Sequence, residues 1–426
     1  MTVRSFLDGR VLLHCGDCLD VLDSMDENSV DSVVCDPPYH LHSIVKRFAK
    51  TGRTESTRTG SGPHQRTATG FMGKKWDGGD VAFQSSTWAK VLRVLKPGGY
   101  IVAFSSSRTF GRMSVAIEDA GFITHPMFGW IFGSGFPKAH RVHAEGYEGF
   151  RYGGQAAKPA LEPIYMGQKP FSEINGTANV VLWGTGALNI DACRVEGDAR
   201  PFGNGSEGSG GYRLHKRDVS EWKPSEQGRW PANVIHDGSD EVLAAFPDAP
   251  GQQGDLTGHS RDRVSQGIYG DFPAARDALA RGDEGSAARF FYTAKADAED
   301  RLGSKHPTVK PLDLMQYLVR LVSPPGGLVL DCFAGTGTTG EAAWREGMRA
   351  VLIEREPEYQ ADIARRMDLA ENPTKRAAVA KSKNNLQGAE GTPLFGGEPS
   401  EFEGGAASRL REIRTGRTIG PLGLKR

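Results

Sequence analysis

The sequence predicts an α/β fold built on a doubly wound, mostly parallel sheet. Two blocks, residues 10–139 and 301–370, alternate short apolar runs with segments of helical spacing, which is the pattern of strands that alternate with helices. Between them, residues 140–300 are rich in glycine and charge and weak in periodicity, which predicts a loop-rich insert. Because ligands bind outside the carboxyl ends of such strands, the residues that follow each predicted strand are the candidates for function.

The first block, residues 1–139, predicts several strands and one clear helix. Its first predicted strands are "RVLLHCGD" (Arg10–Asp17), "VDSVVCD" (Val30–Asp36) and "GGYIVAFSS" (Gly98–Ser106). The segment "SSTWAKVLRVLKPGG" has helical spacing, and its Pro-Gly-Gly run predicts the end of that helix. The apolar stretch Ile123–Phe132 closes the block, and we expect it to be the antiparallel member of an otherwise parallel sheet.

The second block, residues 301–371, has the same alternation. The segment "KPLDLMQYLVRLVSPPGG" predicts a helix, and "LVLDCFAGTGTTGEAAWREG" predicts a strand, a glycine loop and a helix. A further strand, "RAVLIERE", and a further helix, "PEYQADIARRMDLA", complete the block. Residues 372–426 are polar and rich in glycine, alanine and serine, which predicts a flexible tail.

Composition limits the classes of function. The 426 residues carry no net charge, but residues 46–75 hold eight basic residues and one acid, so a nucleic-acid partner stays open. Five cysteines, an odd number, and the absence of an apolar leader predict a reducing cytoplasm. No apolar run reaches the roughly 18 residues of a membrane span, so no membrane partner is expected. Cys15 and Cys18 form a C-x-x-C without a second pair, so no metal site is expected.

The glycine loop after Asp331 predicts a nucleoside site. Gly335, Gly337 and Gly340 match G-x-G-x-x-G between a predicted strand and a predicted helix. Glu354 ends the next strand about 20 residues later, where dinucleotide folds place an acid for ribose hydroxyls. The loop lacks a lysine at the position that phosphate-transfer enzymes use, which disfavours that class. A dinucleotide and S-adenosylmethionine both fit this loop.

The stretch Asp36-Pro37-Pro38-Tyr39 directly follows a predicted strand, and its residues are suited to bind the exocyclic amine of a nucleic-acid base. An exocyclic base amine is a poor nucleophile because its lone pair is delocalised into the ring, so acceptors must bind its hydrogens as it attacks. The Asp36 carboxylate and the Pro37 carbonyl can do so, the prolines fix the backbone, and Tyr39 can stack on a flipped base. A plain turn is the alternative. The nearby glycine loop favours the amine clamp, and the clamp favours S-adenosylmethionine over a hydride carrier.

These two motifs together resemble those of the DNA amino-methyltransferases, which modify adenine N6 or cytosine N4. The order of "DPPY" before "DCFAGTGTT" resembles the beta group of that family, as do "HPTVKP" and "HCGDCLDVL". The segments "GWIFGSGFPKAHRV" and "LEPIYMGQKP" resemble phage and prophage members. The resemblance implies a permuted, seven-stranded class I methyltransferase fold with S-adenosyl-L-methionine as cofactor. It also implies that residues 140–300 form a target-recognition insert between a catalytic half and a cofactor-binding half.

The resemblance implies roles for individual residues. The residues implied to be catalytic are Asp36, Pro37, Pro38 and Tyr39. Those implied to bind the cofactor are Asp17, Cys18, Thr308, Lys310, Asp331, Phe333, Ala334, Gly335, Gly337, Thr338, Thr339 and Glu354. Basic residues after the catalytic turn and in the insert are candidates for DNA binding, namely Lys46, Arg47, Lys74, Lys75, Arg141 and Arg217.

The main hypothesis is a site-specific methyltransferase for adenine N6 in double-stranded DNA, since an aspartate heads the motif. Cytosine N4 is the close alternative, and an RNA base is a more distant one. A cytosine C5 enzyme is excluded because the chain has no Pro-Cys pair. A catalytically silent DNA-binding protein is disfavoured because Asp36, Tyr39 and the glycine loop are all intact. A cognate restriction endonuclease, and a monomer or a homodimer, are open alternatives for the partners.

Overall fold

A computed structural model describes most of the chain. The described residues are 2–39, 80–197, 228–249, 266–267, 270–271, 284–294, 298–304, 306 and 308–379. Contacts divide the chain into one unit, Met1–Arg376, and a second, Ala377–Arg426, of which only residues 377–379 are described. The fold described below is that of the first unit.

The strands are numbered β1 to β14 among the described residues. Their bounds are β1 (Thr2–Phe6), β2 (Val11–Cys15), β3 (Val30–Cys35), β4 (Leu95–Phe104), β5 (Ile123–Ile131), β6 (Lys138–Arg141), β7 (Arg151–Gln155), β8 (Leu161–Gln168), β9 (Val234–His236), β10 (Gln266–Gly267), β11 (Gly270–Asp271), β12 (Tyr292–Thr293), β13 (Leu328–Asp331) and β14 (Arg349–Glu354). Ten of them form one sheet in the order β1-β2-β14-β13-β3-β4-β8-β5-β9-β12. The pairs β6–β7 and β10–β11 form two separate ribbons.

Helices connect these strands. The α-helices are α1 (Cys18–Ser24), α2 (Ser85–Val94), α3 (Phe110–Asp119), α4 (Gly176–Trp183), α5 (Asp240–Leu243), α6 (Leu312–Val322), α7 (Thr338–Arg345) and α8 (Pro357–Ala370). Short 3₁₀ turns lie at Val81–Phe83, Asp191–Cys193, Ala287–Phe290 and Ala298–Arg301. Residues 373–379, at the start of the predicted flexible tail, are also helical. Asn372 caps this turn, and Arg376 pairs with the buried Glu341; residues 380–426 of the predicted tail lie outside the described residues.

The sheet is mostly parallel, as predicted. The pairings β2–β14, β14–β13, β13–β3, β3–β4, β5–β9 and β9–β12 are parallel. The pairings β1–β2, β4–β8 and β8–β5 are antiparallel. Helices cover both faces, and Val33 and Val34 in β3 belong to opposite cores, one containing α2 and α3 and the other containing α6 and α7. The doubly wound α/β arrangement therefore holds.

The antiparallel strand in the interior is not the one predicted. The prediction assigned that role to Ile123–Phe132, but β5 runs in the same direction as β4, because α3 forms a crossover between the two strands. Strand β8 is inserted between β4 and β5 and is antiparallel to both. The start of β8 therefore lies at the edge of the sheet where β4 ends.

Two further differences concern strand number and a helix end. The sheet of the described residues has ten strands rather than seven, because β1 is added at one edge and β9 and β12 at the other. Strands β9 and β12 have three and two residues and are too short for periodicity to mark. The predicted insert thus contributes β8, β9 and β12 to the sheet. Helix α2 ends at Val94, before the proline, since β4 starts at Leu95. Gly98, with a φ of 77°, and Gly99 bond across to Lys169 after β8.

Candidate active site

Four neighbouring parallel strands end at one cavity of about 390 Å³. Strands β2, β14, β13 and β3 lie side by side, and their last residues are Cys15, Glu354, Asp331 and Cys35. The residues at and just beyond these strand ends line the cavity. The cavity therefore occupies the crevice where open α/β sheets bind their ligands.

The structure brings nearly all of the predicted catalytic and cofactor-binding residues to this cavity. All four residues of the Asp36–Tyr39 turn line it. Each residue implied to bind the cofactor also lines it, with the exception of Gly337. Gly337 starts α7 with a φ of 76°, and a Cβ there would lie 3.0 Å from the side chain of Ile363 in α8. Its lack of a side chain serves helix packing rather than contact with the cavity.

Glu354 closes the glycine loop from the side. Its Oε2 accepts a hydrogen bond from the Gly335 amide at 2.8 Å, and its Oε1 accepts one from the Glu356 amide at 2.7 Å. Burial raises the pKa of Glu354 to about 7. Gly335 has a φ of 51°, which favours glycine, and a Cβ there would lie 3.4 Å from the His306 ring. This wall presents a carboxyl acceptor beside exposed backbone, as a nucleoside requires.

Asp331 shapes the loop instead of reaching outward. Its two oxygens accept hydrogen bonds from the Phe333 amide at 3.0 Å and the Thr339 hydroxyl at 2.5 Å. Burial raises its pKa to about 7. The Phe333 ring lies edge-on to Trp88 at 6.3 Å, so Phe333 packs on the core while it lines the cavity. Ala334, Thr338 and Thr339 complete this wall.

The wall from β2 and α1 carries Asp17 and Cys18. Asp17 caps α1, because its Oδ1 accepts a hydrogen bond from the Leu19 amide at 2.9 Å. Its other oxygen lies 3.7 Å from Arg355. Burial raises the pKa of the Cys18 thiol, and all five cysteines are free. The described residues contain no group of side chains arranged for a metal ion.

His306 and Tyr359 line the cavity, although the residue predictions omitted both. Their rings pack edge-on with centroids 4.5 Å apart. Burial lowers the pKa of His306 to about 4, so the imidazole is neutral near pH 7. His306 Nδ1 lies 3.1 Å from the Thr308 carbonyl, which fixes the segment that leads to Lys310. The "HPTVKP" motif could have pointed to His306.

Lys310 reaches the catalytic turn. Its ammonium lies 3.0 Å from Asp36 Oδ2, 2.9 Å from Tyr39 Oη and 2.8 Å from Glu162 Oε1. The Tyr39 hydroxyl in turn contacts Asp36 Oδ1 at 2.8 Å and also Glu162 Oε1. Burial alone would lower the pKa of Lys310, but the charges of Asp36 and Glu162 raise it. Burial, followed by the same two charges, raises the pKa of Tyr39. The cluster therefore holds a cationic lysine and a neutral phenol.

Glu162 is the member of this cluster that sequence reasoning missed. It is the second residue of β8, inside the predicted loop-rich insert. Because β8 is antiparallel to β4, its start lies at the carboxyl edge of the sheet, where Ile164 pairs with Phe104. Only the strand direction brings Glu162 to Asp36, and no motif in the sequence marks that direction.

The predicted DNA-binding residues are only partly described. Arg141 is exposed at the end of β6. Lys46, Arg47, Lys74, Lys75 and Arg217 lie outside the described residues. Among the described residues, no helix is both long enough and apolar enough to cross a membrane.

Comparison with known proteins identifies the family. The family model for N6 and N4 methyltransferases, described as DNA methylase, matches residues 30–365. The chain belongs to this DNA methylase family. The resemblance to the DNA amino-methyltransferases that the motifs predict is thereby confirmed.

Individual relatives match this chain over shorter stretches. The Type II methyltransferase M2.DpnII of Streptococcus pneumoniae is 41% identical over 75 residues, which cover 18% of this chain and 28% of that protein. The Type II methyltransferase M.BglI of Bacillus subtilis is 44% identical over 59 residues, which cover 14% of this chain and 17% of that protein. The solved PvuII DNA methyltransferase (cytosine-N4-specific) is 17% identical with a TM-score of 0.42, covering 91% of this chain and 98% of that one. At that TM-score the structural similarity carries no functional argument.

Proposed function

We propose that this DNA methylase transfers a methyl group from S-adenosyl-L-methionine to N6 of a flipped-out adenine in duplex DNA. One observation carries the proposal: the Asp36–Tyr39 turn and the glycine loop with Glu354 line the same cavity. A site for a base amine and a site for a nucleoside cofactor thus share one space. The two proposed ligands can meet there without a movement of the sheet.

The cavity fits the proposed cofactor. Its volume of about 390 Å³ is in the usual range for small-ligand pockets. The backbone at Gly335 leaves room for close approach, and Glu354 offers carboxyl oxygens for ribose hydroxyls. Asp17 and Thr308 also line the cavity. In the proposal, Asp17 binds the adenine of the cofactor and Thr308 lies on the methionine side of the cofactor. S-adenosylmethionine would supply an electrophilic methyl group on its sulfonium.

Asp36 and Pro37 would act on the amine. The Asp36 carboxylate and the Pro37 carbonyl accept the two amine hydrogens, so the nitrogen lone pair leaves the ring and points at the methyl group. The nitrogen would become positive as its bond to the methyl carbon forms and the bond from that carbon to the sulfonium sulfur breaks, with the electron pair left on sulfur as a thioether. Asp36 and Glu162 carry two negative charges and Lys310 carries one positive charge, so the cluster has one net formal negative charge. This charge stabilises the positive nitrogen of the amine. The surplus proton then leaves the nitrogen for Asp36, and Tyr39 stacks on the base.

An adenine target is proposed because an aspartate heads the catalytic turn. The family model covers both N6 and N4 enzymes, and the same geometry serves cytosine N4. The two relatives are named Type II methyltransferases, which supports a cognate restriction endonuclease as a partner. The five free thiols support a cytoplasmic site of action. The permuted order is also part of the proposal, with residues 1–139 as the catalytic half and 301–371 as the cofactor half.

The β6–β7 ribbon is the described part of the proposed target-recognition region that suits DNA best. Its strands expose basic residues, among them Arg141 and Arg151, and aromatic residues such as Tyr152. A two-stranded ribbon fits the major groove, and basic side chains bind phosphates. Thr109 bonds to the Tyr39 carbonyl at 3.3 Å, and its neighbour Arg108 lies beside the backbone of β7. The ribbon therefore stands next to the catalytic turn.

The test is mass spectrometry of nucleosides in DNA from cells that express the protein, with Asp36→Ala as the control. We expect N6-methyladenine that is absent with the control variant. N4-methylcytosine with the same dependence on Asp36 would keep the mechanism and change the base. If neither base appears in DNA, the proposal is wrong, and RNA becomes the substrate to examine.

A further inference from the structure

We infer that Glu162 is a positioning residue that binds Lys310 and the Tyr39 hydroxyl so that Asp36 is available to the target amine. The inference rests on the proposed function and adds a residue to its machinery. Glu162 lies in neither motif, and it contacts both Tyr39 and Lys310 of the catalytic cluster. Its role follows from counting the hydrogen bonds of this cluster.

The buried ammonium of Lys310 has an oxygen partner for each of its three hydrogens. The Lys310 side chain is only 8% exposed, and its three N–H donors meet three oxygens, on Asp36, Tyr39 and Glu162. A buried ammonium needs an anionic partner, because an unpaired one is strongly destabilising. If Asp36 were the sole anion, it would remain tied to Lys310 whenever it was needed by the amine. Glu162 supplies the second anion, at 2.8 Å.

The Tyr39 hydroxyl has a choice between two carboxylate acceptors. It carries a single hydrogen but contacts two carboxylates, Asp36 and Glu162. The hydrogen can be donated to one of them at a time. Donation to Glu162 leaves Asp36 Oδ1 free to accept a hydrogen from the amine. Binding of the target base then requires that one hydrogen bond change its acceptor, with no buried donor left unpaired.

The position of Glu162 on a strand supports this role. Residues 164–168 of β8 pair with β4 on one side, and Glu162 itself pairs with Trp130 of β5 on the other. A carboxylate on a paired strand is held more precisely than one on a loop. Lys310 also lies 5.3 Å from the centre of the Tyr39 ring and 4.7 Å from that of Phe104. When Asp36 turns to the amine, Glu162 holds both neighbours where they are.

The test uses charge and a double variant. Glu162→Gln keeps the size and an acceptor oxygen but removes the charge, so the cluster becomes neutral and Lys310 is drawn onto Asp36. We expect kcat to fall about 10- to 100-fold while KM for S-adenosylmethionine changes less than about twofold, which is the general scale of a transition-state interaction. Lys310→Met in the Glu162→Gln background restores the formal charge of the wild type. We expect this double variant to be more active than Glu162→Gln alone.

The assay is steady-state transfer of labelled methyl from S-adenosylmethionine, over a range of its concentrations, to unmethylated bacterial DNA, which gives kcat and KM. Glu241→Gln is the matched control, because Glu241 pairs with Lys158 on the surface, at 67% side-chain exposure. Glu162→Asp keeps the charge, so its rate should exceed that of Glu162→Gln. A rate recovered in this way would show that the loss in Glu162→Gln comes from the missing charge and not from a folding defect. Melting temperatures of all variants accompany the rates.

Each outcome decides between the claims. A Glu162→Gln rate equal to that of the wild type contradicts the inference, and so does a double variant whose losses merely add. A Glu162→Asp rate no better than that of Glu162→Gln also contradicts it. In all three cases an active wild type leaves the proposed function intact. A wild type that methylates no DNA overturns the proposed function and the inference with it.

Discussion

The two walls of the cavity are built in different ways. The glycine-loop wall comes from one continuous segment, Asp331 to Glu354, and its two acids are held by backbone amides and one hydroxyl. The second wall, called the catalytic wall after its proposed role, is formed by Asp36–Tyr39 and Lys310. Side chains alone connect these two segments to each other and to Glu162, which contacts both Tyr39 and Lys310. The first wall is set by local chain geometry, whereas the second depends on the completed sheet. Substitutions should therefore separate ligand binding from chemistry.

The largest effect is expected at the catalytic wall. Asp36→Asn keeps the shape of the side chain but replaces one acceptor oxygen with a donor and removes the charge. The rate of methyl transfer should fall about 100- to 1,000-fold, as when one transition-state stabilising group is lost. Binding of S-adenosylmethionine, measured by titration calorimetry, should change less than about twofold. A large loss of binding would mean that the two walls do not act separately.

The next effect concerns the glycine-loop wall. Gly335→Ala places a Cβ 3.4 Å from the His306 ring on a backbone with a φ of 51°. A residue with a side chain costs roughly 1–2 kcal/mol in this conformation. The loop would relax away from this strained conformation, and binding would have to restore it. We therefore expect the Kd for S-adenosylmethionine to rise about tenfold, which is the change that 1.4 kcal/mol produces.

Gly347→Ala is the matched control for that substitution. Gly347 has a φ of 80° and no atom within 4 Å of a Cβ position, so it shares the backbone strain away from the cavity. It should lower the melting temperature without a change in the Kd. Equal effects of the two variants on the Kd would show that strain alone, and not the site, explains the loss.

A smaller effect follows from the titration of Glu354. Burial raises its pKa from 4.5 to about 7, and the nearby acids Glu356 and Asp331 add to the rise. Because the folded pKa is the higher one, its contribution to stability is full below pH 4.5 and is lost as the pH rises through about 7. The unliganded protein should therefore melt at a lower temperature at pH 8 than at pH 5.

Cofactor binding should show the opposite trend. If the ionised carboxylate accepts the ribose hydroxyls, affinity for S-adenosylmethionine should rise about three- to tenfold between pH 6 and 8. Glu354→Gln should reduce the pH dependence of both the melting temperature and the affinity for S-adenosylmethionine. The pH dependence of stability that remains should come from Asp331, whose pKa is also raised to about 7. Identical slopes in the variant and the wild type would remove Glu354 from the account.

The smallest effect is expected outside both walls, at the β6–β7 ribbon. Arg141→Ala should weaken DNA binding about two- to fivefold and lower the salt dependence by about one ion. Fluorescence anisotropy at several salt concentrations measures both quantities. Arg349→Ala is the control, because Arg349 is exposed at the amino end of β14, the opposite edge of the sheet. Equal losses for the two arginines would argue against a specific role of the ribbon.

The contrast between the walls also explains what could be predicted from the sequence. The turn at Asp36 and the loop at Gly335 follow their strands directly, so the residue pattern places them at the carboxyl edge. Glu162 could not be placed in this way, because its position depends on β8 running antiparallel between β4 and β5. These pairings are tertiary choices, since they join residues 60–68 positions apart for β4 and β8 and 30–45 positions apart for β5 and β8. A glycine motif also does not distinguish ligand contact from helix packing: Gly337 does not line the cavity and packs against Ile363, and its role in cofactor binding stays a prediction.

The most direct measurement is methyl transfer by the purified protein. Tritium-labelled S-adenosylmethionine and unmethylated duplex DNA are incubated with the wild type, and the DNA is then digested to nucleosides and separated. The account predicts label that elutes with N6-methyl-2′-deoxyadenosine and that is absent with Asp36→Asn. Label in N4-methylcytosine would correct the target base alone. DNA that carries no label with a folded wild type would contradict the central claim that this cavity joins a base amine to a methyl donor.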